Sequence, residues 1–265
     1  MVSVILLLLV GGVGFAQVIS DPNQVTLRWL RLGGIIALSL LAVTATFVVM
    51  TGRLNGVTLT PLGIVTAAAF VVQLLAVQLD HRRTQRVAAG AGFLLACGAA
   101  VWVSGTMGDP PTTASWAGPS IWDVALLYFV TLLSAGLMGG FLMTMLLGHA
   151  YLTAAGEMTQ RPFLRLVRWL AVLLIVRAGI SVWTGLRPYW GRESGGLAAV
   201  WDGVMVTARY LVGLFMPAVF TYMIYDCVKR RSNQSATGIL YVTLVLVVIG
   251  EGAALALIRS TGLVF

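Results

Sequence analysis

Three ionisable residues stand inside long apolar runs, where charge is expensive: Arg177, Arg209 and Glu251. Carrying a charged side chain to the centre of a bilayer costs roughly 2.5–3.5 kcal/mol on insertion scales. Such residues therefore need partners. If the runs that hold them cross a membrane in alternating directions, all three fall in a similar layer, from mid-membrane to the outer half. One reading is a structural ion pair in which Glu251 accepts from Arg209 or Arg177. The other starts from the surplus of two guanidiniums over one carboxylate. An excess buried arginine requires a carbonyl, an anion or backbone oxygens. A quinone carbonyl, an anionic substrate or a proton path through Glu251 each meets that need. On this reading Asp123, Tyr128, Asp202 and Tyr210 border the same outer pocket.

A second constellation falls at the opposite face. His149 and Tyr151 close the fifth apolar run, and Glu157 follows in the next loop. A histidine and a tyrosine at the lipid boundary suit interfacial anchoring, or donation to a quinone head group. A helix-borne histidine can also ligate haem iron or exchange protons near neutral pH. With only two histidines in the chain, a di-haem core needing four is excluded. A single haem b held by His81 and His149 fits their similar depth, although His81 stands in an Asp-His-Arg-Arg string typical of a solvated loop. No HExxH, GxSxG, phosphate-binding glycine loop or cysteine pair with metal spacing is present. No metal site is expected, and the enzymatic role is at most that of a non-catalytic redox subunit.

The elements that must position these residues are helices. The apolar runs span about 1–18, 33–50, 60–78, 88–104, 121–149, 166–185, 199–225 and 238–257. Each approaches the ~20 residues that a helix needs to cross the hydrocarbon. Their continuous apolarity argues against a β-barrel, whose strands alternate. The expected fold is all-α: one membrane domain over 1–265, an integral bundle of eight transmembrane helices. Pro217 lies inside the seventh run and should kink it. In the fifth, Gly136, Gly140, Thr144 and Gly148 recur every four residues, the spacing that lets helices approach closely.

Composition agrees. Hydrophobic residues make up 59% and charged residues 10%, less than half the ~25% charge of a soluble domain. The net charge of +8 resides in loops, so it signals topology and contact with anionic lipid rather than nucleic acid. Alternate loops hold Arg28, Arg31, Arg82, Arg83, Arg86, Arg161, Arg165, Arg168, Lys229, Arg230 and Arg231. The opposite side holds Arg53, Arg187, Arg192 and Arg259. Positive residues stay inside, which directs both termini to the outer, periplasmic face of a bacterial cytoplasmic membrane. Gly14-Phe15-Ala16 resembles a signal-peptide cleavage site, but basic residues follow the first run rather than precede it. That order favours a retained helix.

The strings Gly-His-Ala-Tyr-Leu at 148–152 and Gln-Ser-Ala-Thr-Gly-Ile-Leu-Tyr at 234–241 resemble those of a group of poorly characterised bacterial integral membrane proteins, mainly over the second half of the chain. In architecture alone, eight helices in a chain of this length are similar to the quinol-interacting subunits of polysulfide-reductase type. That likeness implies quinone binding and membrane or peripheral redox partners, and it carries over no residues. The leading expectation is a membrane subunit of an electron-transfer assembly. The alternatives are a small-solute or ion transporter built on the Arg/Glu site, and a scaffold or assembly protein whose charges only pack the bundle.

Overall fold

The computed structural model describes residues 1–50, 59–106, 121–153, 159–185 and 197–261. Glu157, Arg53, Arg187 and Arg192 lie outside them. Among the described residues the structure is helical: α1 (Val2–Ile19), α2 (Leu27–Met50), α3 (Leu59–Gln78), α4 (Arg82–Thr106), α5 (Ile121–Thr153), α6 (Arg161–Gly185), α7 (Leu197–Thr207), a π-helical stretch (Ala208–Phe215), α8 (Met216–Lys229) and α9 (Asn233–Thr261). The stretch from Val200 to Lys229 is one candidate span, and with it eight helical segments are long and apolar enough to cross a membrane.

The helices outrun the apolar segments at the basic ends. Segment four, expected from residue 88, starts at Arg82, and segment six, expected from 166, starts at Arg161. Apolarity marks only the stretch that meets hydrocarbon. The helix itself continues through the head-group layer, where arginine is a good helix former and its long stem lets the charge reach polar surroundings.

Burial follows from composition. α1 is apolar on all sides, as a helix must be when it has no polar face to give to water, and it packs against α2, α4 and α5. Gly12 makes the tightest approach: a Cβ there would collide with the backbone of Ala135 and Gly139 on α5. Gly14 stands less close to the Ala89 carbonyl on α4, but a Cβ there would still clash. The segment that resembles a signal peptide is thus the centre of one half of the bundle. In the other half, α9 packs on α5, α8 and the π-helical stretch, while α6 packs on α5 and α8. The outer surface carries exposed Ile35, Val49, Ile64, Ile175, Tyr222 and Val245, apolar cover that suits lipid.

The turns at the basic end are tight. After α3, His81 N–H donates to the Ala76 carbonyl across Asp80 at φ 56°. After α8, Ser232 N–H donates to the Cys227 carbonyl across Arg231 at φ 60°. Both are Schellman caps with a left-handed residue where glycine is usual. Asp80 is held by an ion pair with Arg82 at 2.8 Å.

Around Pro217, where a kink is expected, the structure has a π-helical stretch. The proline stands at the start of α8, directly after eight residues of π-helix. A proline in a regular helix would press its ring on the carbonyl four residues earlier and lacks the N–H to bond it. The wider π turn accommodates both defects. Its consequence is local: Arg209 and Gly213 are both buried. Gly213 meets the Gly250 backbone on α9 so closely that a Cβ on either would clash.

Candidate functional site

The contact between Gly213 and Gly250 places Arg209 beside Glu251, the residue after Gly250. Counting 1.5 Å per residue, Arg177, Glu251 and Arg209 lie about 24, 27 and 30 Å from the basic ends of their helices. They share a layer, and the side chains converge there. Glu251 Oε1 accepts from Arg209 Nη1 at 2.9 Å, and Oε2 accepts from Arg177 Nη2 at 3.3 Å. Two serines complete the arrangement. Ser134 Oγ on α5 donates to Glu251 Oε2 at 2.8 Å and accepts from Arg177 Nε at 3.2 Å. Ser181 Oγ, one turn beyond Arg177 on α6, accepts from both guanidiniums at 3.3 Å. Tyr210 joins from the π-helix, donating its hydroxyl to the Ser181 carbonyl.

All three charges are withdrawn from solvent, with Arg177 1%, Arg209 0% and Glu251 3% exposed. Four segments, α5, α6, the π-helix and α9, each contribute to one hydrogen-bonded cluster. Low dielectric strengthens such contacts and equally penalises any group left out. One donor is left out: Arg209 Nε is buried with no partner. The cluster also keeps its charge surplus, two guanidiniums against one carboxylate.

A cavity of about 140 Å³ adjoins this cluster. Arg177, Glu251 and Ser134 line it, and it extends to Met1, Ser104 and Arg259 near the chain termini. Its walls between these points come from α1, α5 and α9, including Thr131 and Leu255. The space is too small for the 300–1,000 Å³ typical of drug-sized ligands. It has room for water or a small ion.

The other expected outer residues divide. Tyr210 belongs to the cluster. Tyr128 does not, because its hydroxyl donates to the Leu94 carbonyl on α4 at 3.0 Å. Asp202 is half-buried on α7. Asp123 falls in the first turn of α5, and its side chain lies outside the described residues.

At the basic side, the expected group does not converge. Tyr151 is buried, stacks on Phe163 with ring centroids 5.4 Å apart, and donates to the Thr159 carbonyl. It clasps the turn between α5 and α6. His149 and His81 are both exposed, and α3 and α5 make no contact among the described residues. His81 Nδ1 lies 2.8 Å from the Leu79 carbonyl within its own turn. Both rings are exposed, whereas a bis-histidine haem would need two that face each other across a buried space. Among the described residues no group of three or more His, Cys, Asp or Glu is placed to hold a metal.

Sequence reasoning missed both serines. Ser181 had a signal, since four residues after Arg177 is the next turn of the same helix face. Ser134 had none, because only the packing of α5 against α9 brings it in. No family model, curated protein or solved structure matches this chain.

Proposed function

We propose that this multi-pass membrane protein binds and translocates a small anion together with a proton, with Arg177 and Glu251 as the exchanging pair. The observation that carries this reading is the charge surplus facing a small cavity with largely apolar walls: two buried guanidiniums share one carboxylate, and Arg177 and Glu251 both line the space. The positive-inside bias directs both termini, and so this cavity, to the periplasmic face of a bacterial cytoplasmic membrane.

The chemistry is an exchange of partners. With Glu251 ionised, its Oε2 occupies Arg177 Nη2. A proton delivered from the cavity to Oε2 neutralises the carboxylate and releases that donor. The cluster then carries two uncompensated positive charges, and an anion entering the cavity takes the place of the carboxylate at Arg177. Departure of the anion restores the ion pair and expels the proton. The state with two uncompensated charges is confined to the step between protonation and anion entry, because unpaired charge in a low-dielectric layer is costly.

Purified protein in liposomes tests this. Formate or chloride uptake should follow an imposed pH gradient, and Glu251→Gln should abolish the response to the gradient while the protein remains assembled. If no small anion moves in either the wild type or the variant, the proposal fails. The electron-transfer reading ranks second. The cavity at the cluster is small for a quinone ring with its tail, and the two histidines are both exposed, His81 in the turn between α3 and α4 and His149 near the end of α5. A Soret band, or quinone extracted in stoichiometric amount from the purified protein, would reverse this order.

A further inference from the structure

A separate feature runs along the lipid-facing seam between α6 and α8. Alanines on both helices (Ala171, Ala178 and Ala218) floor a groove of about 720 Å³, with bulkier Ile175, Phe215 and Tyr222 along it. The groove runs from Arg168 to Val182, about 21 Å at 1.5 Å per residue. That length exceeds half of the ~30 Å hydrocarbon, enough for an acyl chain from the head-group layer to beyond the midplane.

Its basic end is specialised. Arg161, Arg165 and Arg168 recur at i, i+4 and i+7, one face of α6, and all three are exposed. They border a second hollow of about 430 Å³ beside Trp169. Arg168 lines both spaces, its guanidinium 5.8 Å above the Tyr225 ring. Among the described residues none of the three is in an ion pair with a carboxylate. Three guanidiniums at the mouth of a chain-length apolar groove match a head group that bears a phosphate and no compensating cation. Arginine suits this task because its fork binds phosphate oxygens in pairs.

We infer that the α6/α8 seam is a binding site for one anionic phospholipid, its phosphate held by Arg161, Arg165 and Arg168 and one acyl chain lying in the groove. A zwitterionic lipid would bring its choline against the same three positive charges. Arg177 and Glu251 do not line this groove, although Tyr210, which joins their cluster, does.

The test uses the full-length protein washed in detergent and offered dioleoyl phosphatidylglycerol or dioleoyl phosphatidylcholine, with retained lipid counted by mass spectrometry. The wild type should retain phosphatidylglycerol selectively and in stoichiometric amount. Replacing all three arginines (R161Q/R165Q/R168Q) should reduce that preference about a hundredfold, at about fivefold per surface charge. Ala178→Trp leaves the arginines in place and fills the groove, and it should lower retention of phosphatidylglycerol as well. Equal retention of the two lipids by the wild type would overturn the assignment, leaving only annular lipid. So would an unchanged preference in either variant, or a quinone recovered from the groove in place of phospholipid.

Discussion

The two halves of this bundle bury polar groups by opposite means. In the α6–α9 half, three ionised side chains lie within a cluster where nearly every donor and acceptor is used. In the α1–α4 half the buried polar groups are neutral. Gln17 and Gln73 both donate to the Leu30 carbonyl, at 3.1 and 3.3 Å, and Trp29 Nε1 donates to the Met143 carbonyl at 3.2 Å. Yet Gln17 Oε1, Gln73 Oε1 and both amide atoms of Gln85 are buried without partners. An unpaired neutral amide costs about 1–3 kcal/mol by mutational measures, whereas an unpaired charge is far more expensive. The charged cluster must therefore be nearly saturated, while neutral groups can leave atoms over, as Gln160 Oε1 and Asn233 Oδ1 do even in the α6–α9 half, and the neutral half relies on close backbone contact for its stability.

The largest effect should come from breaking the charged cluster on one side only. Glu251→Ala leaves Arg177 and Arg209 buried without their carboxylate, and removing one partner of a buried pair costs about 3–5 kcal/mol. Replacing all three together, Arg177→Met with Arg209→Met and Glu251→Met, should cost much less than the sum of the single changes, because no charge remains unpaired. Unfolding in lipid nanodiscs measures each variant. Additive losses would show that the three residues do not act as a unit, and the contrast between the halves would collapse.

The neutral half should be most sensitive at its glycines. Gly12→Ala puts a methyl group into the backbone of Ala135 and Gly139, atoms that cannot swing away as a side chain can. Overpacking of a core typically costs 1–3 kcal/mol, and this site should lie at the upper end, about 3 kcal/mol. Gly238→Ala, where a Cβ meets nothing within 4 Å, is the control and should be neutral or slightly stabilising. If both variants unfold alike, the close approach of α1 to α5 is not what holds this half together.

What was legible in the chain follows the same physics. The membrane-crossing segments announce themselves because lipid requires about 20 apolar residues in succession, and Arg177, Arg209 and Glu251 stand out because charge is so rare there. The exact helix ends did not follow from apolarity, since Arg82 and Arg161 extend their helices in a layer where hydropathy has stopped reporting. The stripe of Gly136, Gly140 and Gly148 does pack closely, against Leu173, Leu170 and Thr237. The tighter contacts at Gly12 and Gly213 passed unnoticed, because a glycine in an apolar run looks the same whether it faces backbone or open space. The π-helix before Pro217 was visible only as a kink, and it governs where Arg209 points.

The smallest effect, and the most discriminating one, concerns Gln85 on α4. It is fully buried, and neither its amide nitrogen nor its oxygen has a hydrogen-bond partner. Leucine has a similar volume and no polar atoms, so Gln85→Leu removes an unmet desolvation cost without opening a cavity. The expected result is a stabilisation of about 1 kcal/mol, the lower part of the range for an unpaired amide. The same kind of change in the charged half, Ser134→Ala, should act in the opposite direction. It deprives Glu251 Oε2 of its 2.8 Å donor and Arg177 Nε of its acceptor, and bonds to charged groups contribute about 1.5–3 kcal/mol. Two small polar-to-apolar substitutions with opposite signs would follow directly from the charged cluster being nearly saturated and Gln85 being unpaired. A destabilised Gln85→Leu would mean instead that its amide is bonded in the membrane, and that the neutral half is as fully paired as the charged cluster.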